Sequence, residues 1–538
     1  MDWGRSPKRM TELLRQPLPL GRSDFAALRH DGCIYVDKTA QIFELCRDSS
    51  KVFLSRPRRF GKSLLVSAFE SLFKNGLRDF KGLQIESLWN DRTYEVVRLD
   101  FSEIKDYSSE ADFSSKFGDL LIRKFRQVGF RHEAGGGLLM GQISTWLSLL
   151  PSSSLVVLID EYDAPLTASL EDDEMFGRIR AVMSAFFQVL KSNEGCLRFF
   201  FMTGITKYRQ TSIFSEFNFF DDISLNSEYG TLIGYTEEEI RTCFTFHVEE
   251  ARQKLGLTEA ELLRKLRLNY DGFSFDEGAA THVYCPWSVL NFFKYPQQGF
   301  RNYWYESGGQ PALLLKYLKR HVLSSPDRFD EPISISIDEL SAAREVKNLS
   351  DAVLLSQAGY LTIKSQLNFA EVELGYPNQE VRLSIARLYA DEMLRGANRL
   401  EIGVSRLAKM LDTESAEVIV KHFNAVLNAI DYQRYPIRDE ASCRSHMQVL
   451  LMGAAMATDV EKHSALGRSD LEVRTDHRHW VFEFKFAKRS ADAQKLLAAA
   501  IAQSSSRRYG TEPNGKKLCR LALVFDQETR CFSAWEAF

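Results

Sequence analysis

Few compositional extremes occur in this sequence, and each absence narrows the reading. Its eight cysteines, Cys33, Cys46, Cys196, Cys243, Cys285, Cys443, Cys519 and Cys531, lie too far apart for the paired spacing of a structural zinc site or a disulfide framework. They read as buried thiols in a reducing compartment. Neither sign of charge dominates, the formal net charge being -3, so no global basic field draws the chain onto nucleic acid and only a local patch is left for that role. No apolar run is long enough to cross a bilayer, and Met1-Asp2-Trp3-Gly4-Arg5 lacks the apolar core of a signal peptide, so no membrane association and a cytoplasmic location are expected. Low-complexity tracts and internal repeats are missing too. What remains is ordinary, with 44% hydrophobic and 26% charged residues. A length of 538 residues exceeds what one core serves, so about two to four globular domains are expected.

The first chemistry-bearing stretch is 51–63, a short apolar strand leading into Arg59-Phe60-Gly61-Lys62-Ser63 and then Leu64-Leu65-Val66, whose apolar spacing suits a buried helix. A phosphate-binding loop needs this context, because backbone N–H groups around a tight turn and a helix N-terminus surround the phosphates. Lys62 supplies the mobile positive charge, Ser63 a hydroxyl for magnesium, and Gly61 a close backbone approach. Five positions before Gly61 the usual glycine is replaced by Arg56, followed by Pro57 and Arg58. The second half of the site is Leu155-Val156-Val157-Leu158-Ile159-Asp160-Glu161, an apolar strand ending in two acids. That Walker B arrangement puts Asp160 near the magnesium and Glu161 where it can orient an attacking water. Thr203, ending the apolar run 197–202, is either a polar sensor of the terminal phosphate or an ordinary strand-end cap. The runs 155–159 and 197–202 are continuous rather than alternating, as in parallel strands covered on both faces.

Beyond Gly234 the pattern turns helical, with Thr236 and Glu237-Glu238-Glu239 as a cap and acidic first turn. The aromatic stretch Arg301-Asn302-Tyr303-Trp304-Tyr305 is assigned to the core. A helix at 351–359, strands at 360–363 and 372–374 and a helix at 380–394 suggest a winged-helix-like module, which in multidomain ATPases binds DNA or simply packs. Near the C-terminus, 467–473 leads into a strand and Trp480-Val481-Phe482-Glu483-Phe484-Lys485-Phe486 forms another. Period two puts Glu483 and Lys485 on one face, and a hairpin through 475–478 lays Asp470 beside Glu483. Two carboxylates and a lysine suit magnesium or manganese and phosphodiester chemistry, with Lys485 steadying the water or the developing charge; a cross-strand ion pair is the bland alternative. Glu440 is an auxiliary third carboxylate or an ordinary helix-start acid. His477 and His479 read as exposed turn residues. A helix at 492–504 carries Gln503, and Arg507, Arg508 and Tyr509 beyond it form a basic, aromatic end able to grip a phosphate backbone.

Tyr35-Val36-Asp37-Lys38-Thr39, Ser55-Arg56-Pro57-Arg58-Arg59-Phe60-Gly61-Lys62-Ser63 and Ile159-Asp160-Glu161-Tyr162-Asp163-Ala164-Pro165 together resemble the prokaryotic AAA-ATPase-like proteins that carry a C-terminal PD-(D/E)XK nuclease domain. Tyr270-Asp271-Gly272-Phe273, Pro286-Trp287-Ser288 and Gly359-Tyr360-Leu361 look like further blocks of that family. The resemblance makes Arg56-Pro57-Arg58-Arg59 a family trait. It implies Asp470, Glu483 and Lys485 as nuclease residues, Ser469-Asp470 standing for the superfamily's Pro-Asp, with Gln503 and Tyr509 resembling the helix that follows the core in RecB-like members. The expected fold is α/β: a P-loop NTPase parallel sheet with a helical lid, a winged-helix-like middle segment and a C-terminal α/β PD-(D/E)XK nuclease-like domain. The expected division is an ATPase core at 1–235, the lid at 236–345, the winged-helix-like and helical connector at 346–430 and the nuclease-like domain at 431–538. The expected nucleotide and metal set is Arg59, Phe60, Gly61, Lys62, Ser63, Leu64, Asp160 and Thr203, with Glu161 catalytic, ATP and magnesium as cofactors, and manganese as an option at the nuclease site. Expected partners are nucleic acid, DNA foremost, and further copies of the chain in a homo-oligomer. The activity implied is an ATP-regulated nuclease in defence or nucleic-acid processing; the alternative is a signalling or scaffold ATPase whose nuclease-like domain is inactive.

Overall fold

The computed structural model describes residues 15–207, 220–306, 314, 325–341, 350–394, 407–454, 458–460, 463–464, 467–468, 470–506 and 515–538. The chain divides into two compact units, one made of Met1–His321 and Glu331–Val381, the other of Val322–Asp330 and Arg382–Phe538.

In the first unit the continuous apolar runs become strands. β1 (Lys51–Ser55), β2 (Glu95–Asp100), β3 (Leu155–Asp160), β4 (Leu197–Gly204) and β5 (Asp221–Asp222) form one sheet in the order β2-β3-β4-β1-β5. Every neighbouring pair is parallel. All of β3 is buried, as is β4 apart from half-buried Arg198, because both faces are covered and an apolar side chain is stabilised on either one. Helix Lys62–Asn75 covers one face, its Phe69 ring 4.9 Å from Phe201 and its Phe73 ring 5.2 Å from Phe199. Helices Glu110–Arg126, Leu139–Ser148 and Asp173–Ser192 share a core with Phe53, Val157 and Phe200 of the other face. Since β4 separates β1 from β3, the glycine loop after β1 and the acids ending β3 open onto the same edge of the sheet, one strand apart.

The expected helical region follows. Thr236 and Glu239 form a reciprocal capping box on Glu237–Cys243, and Thr245–Leu255, Glu259–Tyr270 and Pro286–Lys294 pack around Phe244, Leu263, Tyr270 and Phe292. Tyr303 and Trp304 are buried, as their assignment to the core requires. Helix Asp351–Gln357, strands β7 (Thr362–Gln366) and β8 (Glu371–Gly375) and helix Gln379–Met393 follow the helix-strand-strand-helix pattern read from the sequence. A strand the sequence did not reveal, β6 (Ile333–Ser336), joins them in an antiparallel sheet of order β6-β8-β7. Its four residues pair with a distant partner, so no local pattern announces it.

The second unit contains β9 (Thr458–Val460), a short pair β10 (His463–Ser464) and β11 (Gly467–Arg468), β12 (Leu471–Arg474), β13 (Arg478–Ala487), β14 (Lys517–Asp526) and β15 (Cys531–Ala537). Its mixed sheet runs β15-β14-β13-β12-β9, with β13 and β14 parallel around the crossover helix Ala493–Ser506 and the other pairs antiparallel. The β12–β13 hairpin is two-faced. Leu471, Val473, Phe482 and Phe484 share the apolar side, where Phe482 lies 6.0 Å from Phe423 and Phe484 6.1 Å from Phe532. Alternation sends Glu472, Glu483 and Lys485 to the other side. Helix Leu407–Thr413 ends against the hairpin, where Trp480 Nε1 donates to the Leu411 carbonyl at 2.7 Å and Arg478 to the Glu414 carbonyl at 2.6 Å. Carbonyls of the last helical turn and just past it thereby gain partners.

Two minor expectations need correcting. His477 is exposed, but His479 is a strand residue of β13, 1% exposed and 3.0 Å from Glu472, because the strand already begins at Arg478. The eight cysteines are free as expected, yet Cys243, Cys519 and Cys531 are only partly buried. Among the described residues no helix is long and apolar enough to cross a membrane.

Candidate functional site

The candidate nucleotide site lies where β1 turns into its helix. Gly61 is the helix N-cap with φ 101°, a left-handed conformation that side chains disfavour. Lys62 is buried, and its Nζ donates to the carbonyls of Arg56 and Pro57, each at 2.9 Å. Burial lowers its pKa to about 8, against the opposing pull of Asp163, Asp160 and Glu161. Ser63 sits close enough to Asp160 to favour its charged form, the neighbourhood a shared magnesium needs. Asp160 is 1% exposed, and burial raises its carboxyl despite Ser63 and Lys62. Glu161 follows with φ 49°, its amide donating to Asp160 Oδ1 at 3.0 Å, and burial raises its carboxyl too, Lys62 opposing.

A cavity of about 530 Å3 is lined by Gly61, Lys62, Ser63, Leu64 and Glu161 together with Ser102, Lys105 and the apolar or aromatic Ile34, Tyr35, Ile233, Trp287 and Leu290. It suits a phosphate tail with a flat apolar ring attached. Of this lining, Ser102, Lys105 and the apolar or aromatic side chains were not identified as ligands from the sequence; the blocks containing Tyr35 and Trp287 were their only trace. Asp163 was missed as well: it is 3% exposed and accepts the amides of Ile205 at 3.0 Å and Thr206 at 2.8 Å, tying the loop after β3 to the end of β4.

Other members of the set have their side chains engaged by the protein itself. Thr203 is fully buried and its hydroxyl donates to the Leu54 carbonyl at 2.8 Å, a link between β4 and β1. Phe60 is buried against Phe273 and Phe275, at 4.9 and 5.0 Å, so only its backbone is offered to a phosphate. Arg59 donates to the carbonyls of Tyr303 and Trp304. Arg56, in place of the usual glycine, is 1% exposed: it donates to the carbonyls of Ser55, Ser224 and Tyr229, with its Cζ 4.3 Å above the Phe275 ring.

The second group lies in the C-terminal unit. Leu471 pairs with Phe482, which sets Asp470 opposite Glu483, and Asp470 Oδ2 accepts the Phe484 amide at 2.8 Å. Lys485 Nζ is 3.2 Å from Glu483 and 3.1 Å from Glu440, the first residue of the Asp439-capped helix Glu440–Gly453. Burial pushes the Glu483 carboxyl up to about 7, helped by Asp470 and opposed by Lys485. Burial raises Asp470 as well, and it works against the Lys485 ammonium, but Glu483, Glu440 and Asp470 outweigh it and hold that lysine above its ordinary value. Asp470, Glu483, Lys485 and Glu440 are thus brought together. Gln503 lies half-buried in the last turns of Ala493–Ser506. Tyr509, with Arg507, Arg508 and Ser469, is outside the described residues.

The donor chemistry fits a hard divalent cation, since Glu483 Oε2 is buried with no hydrogen-bond partner beside a second carboxylate. Among the described residues no group of three or more His, Cys, Asp or Glu side chains is placed to hold a metal ion. Magnesium, which retains waters and uses one or two carboxylates, does not require such a group.

On this geometry the comparisons with known proteins can be placed. Residues 19–214 match the family model of predicted AAA-ATPases, and residues 439–535 that of the PD-(D/E)XK nuclease superfamily. The chain therefore carries an AAA-ATPase-like region and a PD-(D/E)XK nuclease-superfamily region. Along nearly its full length it is similar to a protein of Azotobacter chroococcum mcd 1 named "Uncharacterized protein in vnfD 5'region", with 29% identity over 530 residues covering 96% of this chain and 98% of that relative.

Proposed function

We propose that this chain is a nuclease acting on DNA with magnesium or manganese, whose activity is set by ATP bound and hydrolysed at the P-loop. The observation carrying the nuclease reading is the convergence of Asp470, Glu483 and Lys485 on one face of a hairpin, with a Glu483 oxygen buried and unpartnered. Buried carboxylates are costly unless something compensates them. Asp470 and Glu483 would hold the cation. Once bound, it would polarise the phosphodiester and lower the pKa of its water. Lys485 would place its ammonium against the attacking water or the developing charge. In the N-terminal unit Lys62 and Ser63 would take the phosphates and magnesium, with Asp160, while Glu161 orients the water. Defence against foreign DNA and nucleic-acid processing are the biological tasks that suit this pairing.

Full-length protein with magnesium or manganese is expected to cut DNA, and Asp470→Ala to abolish cutting; undiminished cleavage by that variant would refute the assignment. Lys62→Ala is expected to lose ATP binding, measured by titration, and with it the ATP dependence of cleavage. One observation favours a second reading. Lys485 is already neutralised between Glu483 and Glu440, as a purely structural cluster would be. In that case the chain is an ATPase switch binding DNA or protein, and Lys485→Ala leaves its function intact.

A further inference from the structure

The outer side of the P-loop is tied down by side chains that phosphate binding does not call for. Arg59, with φ 74°, donates from its guanidinium to the carbonyls of Tyr303 at 3.1 Å and Trp304 at 2.8 Å. The amides of the same two residues donate to Glu380 Oε1 at 2.6 and 2.9 Å, and the Ser288 hydroxyl to Oε2 at 2.8 Å. One turn is therefore held by a cation on its carbonyl side and a carboxyl group on its amide side. Pro57 is a second tie. A Cβ on Gly359, which has φ 82°, would fall 2.6 Å from the Pro57 Cβ and 3.1 Å from Trp304, so only glycine allows this approach.

On the inner side Lys62 is bonded to the carbonyls of Arg56 and Pro57. An ammonium has three donors and two are committed to these carbonyls, so reaching both the β- and γ-phosphates requires at least one carbonyl to be given up. The residue that must reach a phosphate thus holds the very segment whose outer side holds Tyr303 and Trp304. Glu380 is the second residue of helix Gln379–Met393, and the division between the compact units falls directly after Val381.

We infer that Arg59, the Tyr303–Trp304 turn and Glu380 form a latch that passes nucleotide occupancy at Lys62 to helix Gln379–Met393, and hence along the chain toward the nuclease-like unit. The latch rests on the proposed reading of Lys62 as a phosphate ligand. When Lys62 gives up a carbonyl to reach a second phosphate oxygen, segment 56–59 loses part of its inner anchor, Arg59 shifts its hold on the turn, and Glu380 moves with the first turn of its helix. Packed elements of this kind switch between discrete arrangements rather than deforming smoothly. Arg59 and Glu380 are positioning residues and touch no reacting atom.

Hydrogen exchange of the full-length chain with and without ATP and magnesium reads the latch directly. In the wild type ATP is expected to change exchange by at least about threefold in peptides covering 300–306 and 376–394. Glu380→Ala, which lies outside the nucleotide cleft, is expected to bind ATP but lose the change at 376–394, whereas Glu380→Gln, which keeps an acceptor for both amides, retains it. The inference is overturned if the wild type binds ATP with no change at 376–394, or if Glu380→Ala binds ATP and keeps the full change. Should Glu380→Ala fail to fold, the wild type and Glu380→Gln still decide, because loss of the response in a folded, ATP-binding Gln variant contradicts the hydrogen-bond route. If ATP does not bind the wild type at all, the phosphate reading itself fails, and a titration recognises that outcome separately.

Discussion

Putting glycine back at position 56 is the sharpest test of how this P-loop is built. Motif reasoning alone makes Arg56→Gly a repair, expected to improve phosphate binding. The structure requires the opposite, because the Arg56 side chain is a buried strut between β1 and the segment 224–229. The substitution removes charged donors from the Ser224 and Tyr229 carbonyls, and leaving buried acceptors short costs about 1–3 kcal/mol each. It also removes the guanidinium stacked 4.3 Å over Phe275, a contact worth about 2 kcal/mol when desolvated. Glycine adds backbone freedom worth about 0.5–1 kcal/mol. Together these reach about 4.5–9 kcal/mol, comparable with the whole stability of a domain at about 5–15 kcal/mol. Urea unfolding followed by tryptophan fluorescence, beside an ATP titration, is the assay. Arg56→Met, which restores apolar contact with Phe275 but not the donors, is expected to fall between glycine and wild type. An Arg56→Gly protein within about 1 kcal/mol of wild type that binds ATP more tightly would refute the reasoning.

Further outcomes follow from other buried groups. Burial raises the Glu380 carboxyl from the ordinary 4.5 to about 8, although Ser288 and the amides of Trp304 and Tyr303 favour its charged form. Between those values the folded chain keeps a proton that the unfolded chain has released, so stability falls with rising pH by up to about 1.4 kcal/mol per unit. Glu380→Gln should flatten that slope in unfolding measured from pH 5 to 8, and an unchanged slope would count against it. Asp163→Ala strips two amides of their acceptor, so a loss of about 2–5 kcal/mol in unfolding free energy and a fall in ATP hydrolysis are expected; wild-type stability would contradict the tie it makes. Lys485→Met should lower DNA cleavage by about 100- to 1,000-fold with ATP affinity unchanged in titration, and full cleavage would favour the structural reading of that lysine.

How much of this was legible in advance depends on the range of the interactions. The parallel sheet could be read because strands buried on both faces show as continuous apolar runs, as in Leu155 to Ile159. Asp470, Glu483 and Lys485 could be brought together on paper because period-two alternation and one hairpin are local geometry. The orientation of Arg56 could not, since a basic residue in a P-loop is expected to meet phosphate, and its partners Ser224, Tyr229 and Phe275 are far away in sequence. Glu380 was hidden for the same reason: at the start of a helix it looks like a residue suited to the helix dipole, and only Tyr303, Trp304 and Ser288 reveal its burial. His479 was misread as exposed because its burial depends on Glu472 across the hairpin.

The two lysines expose a common electrostatic design. Lys62 is held by two loop carbonyls, and Lys485 by Glu483, Glu440 and the Phe484 carbonyl. Lys485 cannot serve an incoming phosphate without giving up an internal partner, and Lys62, with one donor to spare, cannot serve two phosphate oxygens without releasing a carbonyl, so each site sets a small cost of engagement that the ligand must exceed. At Lys485 the partner released is a carboxylate whose burial already disfavours its charge, and a divalent cation placed there would take over that compensation. At Lys62 the partners released are backbone, and backbone movement is transmitted to whatever is bonded to the far side of the loop. That difference makes the nucleotide site the one suited to sending a signal and the acidic site the one suited to chemistry.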